Sequence, residues 1–526
     1  MDNECISIKT GEVIGPHPRA VEVGKRVLAE GGNAVDAAVA AAWVSAVVRP
    51  DQNGICGYGG AIVIHFANEK QTHCIDFDTE APGAAHENMY SLVEDPNALY
   101  RYVDANKANQ RGYLCISVPG TVAGLSHAAE KFGTMSLSDL IQPAIQACYE
   151  GFDIDTYLAG LLKNQAETFM QYPGTKAMFY PNGEPLPEGT IVPNPESAEV
   201  LKAIAKNGPD AFYKGEIAHH IAKHVQQYGG ILTYEDMAAY RPRTPQAIEA
   251  AVGNLTIMTA PPPAGGISPL QATLVSDQLS KMIDLEPNSP EEIRSRLEVL
   301  RLVWWDRFDH LGDPAFVSFP YLSLIESGYA GELAFRVKHV LNQKPTNLGP
   351  ESQAGQGGTV HISAVDKDCN LVSLTLTHGL GLGSAVVIPG TGMVMSGGMF
   401  LFDPAPGKAN SPAPRKRPLN NMSPTIILKD GEPFITIGAT GGRKIIGNMH
   451  SALVHIARGL NVREAFLAPR IHFETRGKVF IECASPETQE YLRAWGFDVC
   501  QGSAELVGIQ LDLDAERIIS ASWRPK

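Results

Sequence analysis

The chain has 526 residues, of which 44% are hydrophobic and 19% are charged, and its formal net charge is −14 at pH 7. Such a chain can bury a large core; length alone suggests about three domains, although large α/β enzymes often form one. The acidic balance argues against a nucleic-acid partner, which would require a basic surface. The basic cluster Arg415-Lys416-Arg417 is short and flanked by prolines, which is typical of a solvated loop.

The N-terminus and the cysteines indicate a cytoplasmic protein without a membrane partner. The acidic start Met1-Asp2-Asn3-Glu4 is not followed by an apolar segment, unlike a signal peptide. The longest apolar stretch, 34–48, is too short to span a bilayer and predicts a buried helix. Eight cysteines lack C-x-x-C spacing, which favours reduced core thiols over disulfides or zinc. No cluster of His, Cys, Asp or Glu has ligand spacing, so neither a metal nor a cofactor is expected.

The first residues predict two packed helices and a strand. An amphipathic run from Ala20 to Glu30 ends at two glycines, and an alanine-rich helix follows to Val48. The glycine cluster 54–60 then leads into an apolar strand at 61–66. This cluster and the one at 379–383 resemble nucleotide-binding loops, but neither opens a βαβ unit with a downstream acidic residue, so a dinucleotide is not expected.

The sequence pattern changes after Gly355 from one that predicts mainly helices to one that predicts mainly strands. From Leu125 to about Pro350 the pattern predicts a layer of helices with loops. Beyond it we expect strands, then a helix from Gly447 to Gly459 and an α/β segment from Trp495 to Ser522. The expected strands are 359–365, 371–377, 386–388, 393–395, 425–428 and 434–437. Helices and strands that share one core suit an α/β fold, a four-layer αββα sandwich.

The runs 359–365 and 371–377 predict an antiparallel hairpin. If its turn is centred on Asp368, Thr359 faces Thr377. Side chains that face each other on paired strands lie within hydrogen-bonding reach, so a hydroxyl pair is predicted beside Gly357-Gly358. A purely structural role is also open, because threonine is a favoured strand residue.

Several motifs follow one another along nearly the whole chain. They are Gly31-Gly32-Asn33-Ala34-Val35-Asp36, Val118-Pro119-Gly120-Thr121, Ala260-Pro261-Pro262-Pro263-Ala264-Gly265-Gly266, Gly312-Asp313-Pro314, Gly358-Thr359-Val360-His361, Arg417-Pro418-Leu419-Asn420-Asn421 and Gly438-Ala439-Thr440-Gly441-Gly442. In this order they resemble the γ-glutamyltranspeptidase family of N-terminal-nucleophile hydrolases. A set of ordered motifs is far more specific than any single one.

The resemblance implies that the chain cuts itself between Gly358 and Thr359. The products would be a large subunit, 1–358, and a small subunit, 359–526, within one sandwich domain, with a dimer of these heterodimers left open. A threonine hydroxyl is a poor nucleophile until a base takes its proton, and the freed α-amine, with a pKa near 8, can do so. Gly357 and Gly358 suit the strained backbone that would present their carbonyl to the Thr359 hydroxyl.

The resemblance also assigns the other catalytic groups. Gly441 and Gly442 match the paired glycines whose backbone N–H groups stabilise the oxyanion, and Thr377 matches the residue that positions the nucleophile. With an amine as base, His361 and His378 are unnecessary for catalysis. Two further acidic residues are expected to be structural: Asp36 and Asp306.

The family's glutamate-recognition residues are replaced in this chain. Asp78 occupies the position of an arginine that binds the substrate α-carboxylate, and two carboxylates repel. Other matching positions carry Gly379, Gly398, Leu401, Asn420 and Asn421. These residues predict a roomier and less polar pocket, and the short proline-rich loop 404–414 implies that the family's substrate lid is absent.

Three functions are therefore compared. The first is a threonine amidohydrolase acting on a small-molecule amide that is not γ-glutamyl, for example one with a cationic group near Asp78. The second is a genuine γ-glutamyltransferase or glutathione hydrolase. The third is an uncleaved homologue that only binds, against which the intact catalytic motifs argue. A denaturing gel separates the third from the others, because the first two require two fragments.

Overall fold

The computed structural model describes residues 6–96, 98–343, 358–475 and 477–524. The strands are β1 (Ile6–Ser7), β2 (Glu12–Ile14), β3 (Gly59–Phe66), β4 (Gln71–Asp76), β5 (Leu92–Glu94), β6 (Tyr102–Asp104), β7 (Phe152–Asp153), β8 (Ile191–Val192), β9 (Ile248–Val252), β10 (Leu255–Thr259), β11 (Thr359–Val365), β12 (Leu371–Thr377), β13 (Val387–Ile388), β14 (Met393–Val394), β15 (Thr425–Lys429), β16 (Glu432–Thr440), β17 (Arg470–His472), β18 (Lys478–Glu482), β19 (Asp498–Gln501), β20 (Glu505–Asp512) and β21 (Arg517–Trp523).

The helices carry the outer layers of the molecule. They are α1 (Pro18–Ala29), α2 (Ala34–Val48), α3 (Thr121–Phe132), α4 (Leu137–Glu150), α5 (Thr156–Asn164), α6 (Ala166–Phe169), α7 (Pro173–Phe179), α8 (Pro195–Asn207), α9 (Asp210–Tyr213), α10 (Glu216–Gln227), α11 (Tyr234–Ala239), α12 (Ile267–Ser280), α13 (Pro290–His310), α14 (Ser327–Val340), α15 (Lys444–Ala457), α16 (Val462–Leu467) and α17 (Pro486–Ala494). Among the described residues, no helix is long and apolar enough to cross a membrane.

Two β-sheets pack face to face at the centre. A five-stranded sheet has the order β2-β11-β12-β3-β4, and a seven-stranded sheet has the order β1-β21-β20-β16-β15-β10-β9. Strands β11 and β12 lie against β16, and apolar side chains such as Val63 and Ile426 fill the space between the sheets. Segments from before and after Thr359 contribute strands to both sheets.

Helices cover the outer face of each sheet. The entirely buried α2 lies on β11 and β12, and α15 and α16 lie on the larger sheet. The side chain of Asn33 and the carboxylate of Asp36 form a capping box at the start of α2, which satisfies backbone N–H groups there and defines where the helix begins. The predicted four-layer αββα sandwich is thereby confirmed.

The predicted hairpin has the expected register. Thr359 pairs with Thr377, and the pairing continues without a shift to Val365 and Leu371. The register follows from the polar turn, because a slip of one residue would turn every side chain to the opposite face.

Three expectations differ from the structure. The segment predicted to be helical contains the β9–β10 hairpin at the edge of the larger sheet. The helix expected from Gly447 begins earlier, at Lys444, directly after the glycine turn. The expectation of core thiols is wrong for Cys483, which is exposed in a turn after β18; Cys56, Cys74, Cys115 and Cys148 are buried.

Candidate active site

Two threonine hydroxyls meet at the open end of the β11–β12 hairpin. The oxygens of Thr359 and Thr377 are 3.1 Å apart, and both side chains are buried. Thr377 Oγ1 also accepts the Gly379 N–H at 2.9 Å and donates to the carbonyl oxygen of Gly358. The hydroxyl pair predicted from the register is therefore confirmed.

The direction of each hydrogen bond follows from the capacity of one hydroxyl. A threonine offers one donor and two acceptor sites. Thr377 uses its donor on Gly358 and one acceptor site on the Gly379 N–H. The remaining acceptor site takes the proton of Thr359, so the Thr359 O–H points at Thr377.

The carbonyl of Gly358 accepts from a second donor besides Thr377, and neighbouring backbone packs closely against the glycine. The His378 backbone N–H lies 3.1 Å from this oxygen and 2.9 Å from the Gln52 carbonyl. A Cβ on Gly358 would lie 2.6 Å from the Asp51 carbonyl oxygen. Close approach by this neighbouring backbone explains why glycine precedes Thr359. Gly357, named in the same prediction, lies outside the described residues.

A polar group that the sequence did not reveal anchors the backbone of Thr359. The Gln52 amide, oriented so that both its ends are satisfied, donates to the Thr359 carbonyl at 3.3 Å and accepts from Arg49 at 2.5 Å. Arg49 in turn forms an ion pair with Asp51 at 2.9 Å. This chain of contacts ties the end of α2 to the hairpin.

The stacking of the two sheets directs the end of β16 toward the threonine pair. Thr436 on β16 contacts Ser363, and Gly438 leaves room for the His361 ring. Continuing this alignment by two residues along each strand would bring Thr440, the last residue of β16, to Thr359. The turn of Gly441 and Gly442, with φ of +133° and +65°, follows at once. Both backbones adopt conformations that favour glycine.

Asp78 lies in the same cross-strand row as the threonine pair, that is, among residues that face each other on neighbouring strands of the five-stranded sheet. Thr377 pairs with Gly59, and Gly60 exchanges backbone hydrogen bonds with Phe77, which places Asp78 opposite Gly59. By strand alternation, Thr359 and Thr377 point between the sheets as Ser363 and Ser373 do. Gly59 differs, because its φ of +101° directs its side-chain position at the Phe77 carbonyl. Three strand spacings put Asp78 about 14 Å from Thr359 along the row, and the Phe77 carbonyl oxygen fills the side-chain position of Gly59 between them.

The Asp78 carboxylate ends in a buried polar network. Asp78 Oδ2 accepts from Asn420 at 2.6 Å, and the same amide lies 3.3 Å from the Tyr58 hydroxyl. Asp78 is fully buried, and its Oδ1 has no hydrogen-bond partner. Burial, followed by repulsion from the Asp76 carboxylate, raises the pKa of Asp78 well above its usual range.

The expectation of a roomier pocket is wrong at two positions. A Cβ at Gly398 would clash with the Ser117 hydroxyl and Thr79, so the space that a side chain would take is already filled. Leu401 is buried against Tyr58. Tyr58 interrupts the glycine cluster 54–60, and this aromatic residue was the sequence signal for the filled pocket.

The remaining candidates separate into two groups. Gly379 lies at the centre of the site through its N–H bond to Thr377. Asn421 is turned away, because its side-chain oxygen accepts from Arg307 at 3.0 Å. The structure thus brings together most of the predicted residues but does not bring the Asn421 side chain to the others.

The two histidines near the hairpin are buried in neutral form. Burial lowers the pKa of both His361 and His378 to about 3. His361 bonds Thr375 at 2.8 Å and Ser363 at 3.1 Å, which are structural contacts within the sheet.

The two acidic residues expected to be structural have such contacts. Asp36 caps α2 and accepts from the backbone of Thr134 at 3.0 Å. Asp306 accepts from Gln271 at 2.5 Å and from Tyr329 at 2.9 Å. Within the described part of the chain, no group of three or more His, Cys, Asp or Glu could hold a metal ion.

Comparisons with known proteins agree with this geometry. The family model described as Gamma-glutamyltranspeptidase matches residues 20–514. The glutathione hydrolase proenzyme of Escherichia coli is 35% identical over 511 residues, covering 93% of this chain and 86% of the relative. The acylase ACY 1 proenzyme of Pseudomonas sp. strain SE83 is 33% identical over 519 residues, covering 98% and 92%. The crystal structure of cephalosporin acylase from Bacillus halodurans superposes with a TM-score of 0.84 at 24% identity, covering 100% of this chain and 98% of that one.

Proposed function

The chain belongs to the gamma-glutamyltranspeptidase family, and on that premise we propose that it is a self-processing threonine amidohydrolase that cleaves a non-γ-glutamyl amide. The enzyme class, an amide-hydrolysing member of this family, follows from the family match and from relatives named glutathione hydrolase and acylase. The observation that carries self-processing is the contact of Thr377 with both the Thr359 hydroxyl and the Gly358 carbonyl.

Self-cleavage would begin with attack by Thr359 Oγ1 on the Gly358 carbonyl carbon. Thr377 can accept the proton of Thr359 while its own proton moves to the Gly358 oxygen. The His378 N–H adds a second donor to that oxygen. Collapse of the intermediate breaks the C–N bond and leaves an ester on Thr359. Water then hydrolyses the ester to a Gly358 carboxylate, a free Thr359 amine and a restored hydroxyl.

The same hydroxyl would then act on substrate. The freed Thr359 amine removes the hydroxyl proton as attack begins and later returns it to the leaving amine. Gly441 and Gly442 would supply N–H donors to the oxyanion from above the threonine pair. The resulting acyl-enzyme is hydrolysed by water through the reverse proton transfers. Two fragments of one precursor therefore form the functional unit.

Asp78 would select the acyl group. To reach the unpartnered Asp78 Oδ1, the acyl chain would extend from Thr359 past Thr377 and Gly59, where it would have to displace the Phe77 carbonyl. An ammonium or another strong donor satisfies this oxygen, whereas an α-carboxylate gains no cationic partner there.

A genuine glutathione hydrolase is the second candidate. It is supported by 35% identity to the glutathione hydrolase proenzyme of Escherichia coli. Under this alternative, glutamate would be recognised by residues other than Asp78 and Asn420, which bond to each other.

A gel and a substrate panel test the proposal together. The purified chain should separate into fragments of about two-thirds and one-third of its length, and N-terminal sequencing of the smaller should begin at Thr359. The enzyme is then given a series of amides of one amine, in which the acyl group is neutral, anionic, cationic or γ-glutamyl. Turnover of the cationic amide with negligible turnover of γ-glutamyl-p-nitroanilide and glutathione supports the proposal. Efficient cleavage of the γ-glutamyl compounds supports the second candidate, and an active uncut chain excludes both mechanisms.

A further inference from the structure

A large cleft borders the candidate site on the side of the glycine turn. It encloses about 820 Å³ beside Arg443, the residue that follows Gly442. Its walls come from the β5–β6 connection, the end of α13 and the segment 403–409. One wall thus begins at the glycine turn and another just after Leu401. The cleft therefore adjoins the glycine turn proposed to hold the oxyanion and is open to solvent, and its size is typical of small-molecule sites.

Aromatic side chains line this cleft. Tyr100 and Phe308 contact each other edge to face with ring centroids 6.3 Å apart. Tyr102 lies on the same wall, and Trp305 is 47% exposed at the rim. An exposed large aromatic side chain beside a concave surface indicates a site where an apolar ligand can bind and be shielded from water.

A buried guanidinium with spare donor capacity lies at the base of the cleft. Arg443 is 3% exposed, and its Nη1 donates to Glu474 at 2.8 Å. Its Nη2 has no hydrogen-bond partner. The guanidinium carbon lies 4.9 Å from the Tyr100 ring centroid and 5.0 Å from that of Phe308. Unsatisfied buried donors are costly, so an acceptor that reaches Nη2 would be stabilised.

The charges around the cleft favour an anionic group near Lys408. Lys408 is exposed on the wall and has no ion-pair partner among the described residues. Arg101, on the opposite wall, already pairs with Glu94 at 3.1 Å. Three acidic residues also line the cleft. They are Asp309, Asp403 and Glu474, and burial raises the pKa of Asp403 to about 6.

We propose that this cleft binds the leaving-amine half of the amide, and that the preferred amine is aromatic and carries a carboxylate. The inference rests on the proposed function. The acyl half remains on Thr359 after the first step and extends toward buried Asp78. The amine must instead depart to solvent before water attacks, which requires an open subsite. Aromatic walls, the spare donor of Arg443 and the free cation of Lys408 match a planar amine with a carboxylate.

Direct binding of two product amines to the wild-type protein tests this cleft without relying on catalysis. Isothermal titration calorimetry compares 5-amino-2-nitrobenzoate with 4-nitroaniline, which differ by one carboxylate. We expect at least about tenfold tighter binding of the carboxylate, as for a charge-assisted hydrogen bond. Lys408→Glu should remove most of this preference, and Trp305→Ala should weaken both amines. Lys338→Glu, a charge-matched change of an exposed lysine beside a different cleft, should change neither.

Hydrolysis of matched amides separates failure of this inference from failure of the proposed function. The same cationic acyl group is joined to each amine, and kcat/KM is measured for wild type and Lys408→Glu. If amine binding depends on Lys408 but no amide is hydrolysed, the cleft is still assigned as an amine site and the proposed hydrolase activity is overturned. Hydrolysis without preference for the carboxylate-bearing amine, or equal binding of both amines, overturns the cleft assignment. A carboxylate preference that appears only when the carboxylate is on the acyl group also overturns it.

Discussion

The Thr377 hydroxyl lies 3.1 Å from the Thr359 hydroxyl and also donates to the Gly358 carbonyl, so one side chain contacts both the nucleophile and the bond before it. Gly379 completes the geometry, because its N–H occupies one acceptor site of Thr377 and fixes the direction of the hydroxyl proton. The hairpin therefore holds the proposed nucleophile, its proposed proton acceptor and a donor to the Gly358 carbonyl in a single strand pair.

Removal of the Thr377 hydroxyl should slow self-cleavage. Thr377→Val keeps the volume of the side chain and removes both the donor to Gly358 and the acceptor for Thr359. Loss of one oxyanion donor typically costs about 100-fold or more in rate. A denaturing-gel time course should show intact chain long after wild type is cut. Thr377→Ser, which keeps the hydroxyl, should still cut, and Thr359→Ala should stay whole. Cleavage of the valine variant at the wild-type rate would contradict the relay.

A methyl group at Gly358 should also block cleavage. In Gly358→Ala the new Cβ would approach the Asp51 carbonyl oxygen to 2.6 Å and the Gln52 Cα to 2.9 Å, and neither backbone atom can rotate away. The Gly358 carbonyl would then move out of hydrogen-bonding distance of the Thr377 hydroxyl and the His378 N–H. Gly160→Ala is the control, because a Cβ at Gly160 in α5 meets nothing within 4 Å. Mass spectrometry should find the first variant uncut and the second processed normally; normal processing of both would show that the close packing at Gly358 is not required.

Local patterns explain which features could be predicted. The β11–β12 register depends only on alternation and a short polar turn, so the Thr359–Thr377 pair was accessible from sequence. The β9–β10 hairpin was missed because its two short runs lie among long helical patterns, and its pairing with β15 comes from much later in the chain.

Long-range packing explains what could not be predicted at the site. The space beside Gly398 is filled by Ser117 and Thr79, and nothing local to Gly398 indicates this. Arg443 was not singled out from the sequence, because its position depends on a bond to Glu474, 31 residues away. Residues that meet only through tertiary structure leave no periodic signal in the sequence.

Asp78→Asn should change specificity without loss of the fold. The two side chains have the same shape, and an asparagine oxygen can still accept from Asn420. Acyl groups with an ammonium should lose at least about tenfold in kcat/KM, since an ammonium–carboxylate pair is replaced by a hydrogen bond from the ammonium to a neutral amide. Neutral acyl groups should change by less than about threefold on the same basis. Progress curves for both substrates decide the question, and self-cleavage serves as the folding control. An equal loss for both substrates would show that Asp78 is structural.

Acid should destabilise the chain because several histidines are buried as neutral imidazoles. Burial lowers the pKa of His361, His378 and His455 to about 3 and that of His450 well below 6.5. In the unfolded chain each titrates near 6.5. Between pH 6.5 and 3 the unfolded state therefore binds more protons, so the free energy of unfolding falls as pH falls. Each histidine contributes on the order of 1 kcal/mol per pH unit in this window.

The buried acids act in the opposite direction and define the control. Burial raises the pKa of Asp403 to about 6, so its contribution to stability grows as pH falls from 6 toward 3.8. A variant isolates the histidine effect from this background. Urea unfolding of uncut Thr359→Ala, with and without His361→Gln, is measured at pH 7.0, 6.0 and 5.0. The difference in free energy of unfolding between the chains with and without His361→Gln should shrink by on the order of 1 kcal/mol per pH unit below 6.5. The matched control is His219→Gln, a change of an exposed histidine. A pH-independent difference would show that folding does not lower the pKa of His361.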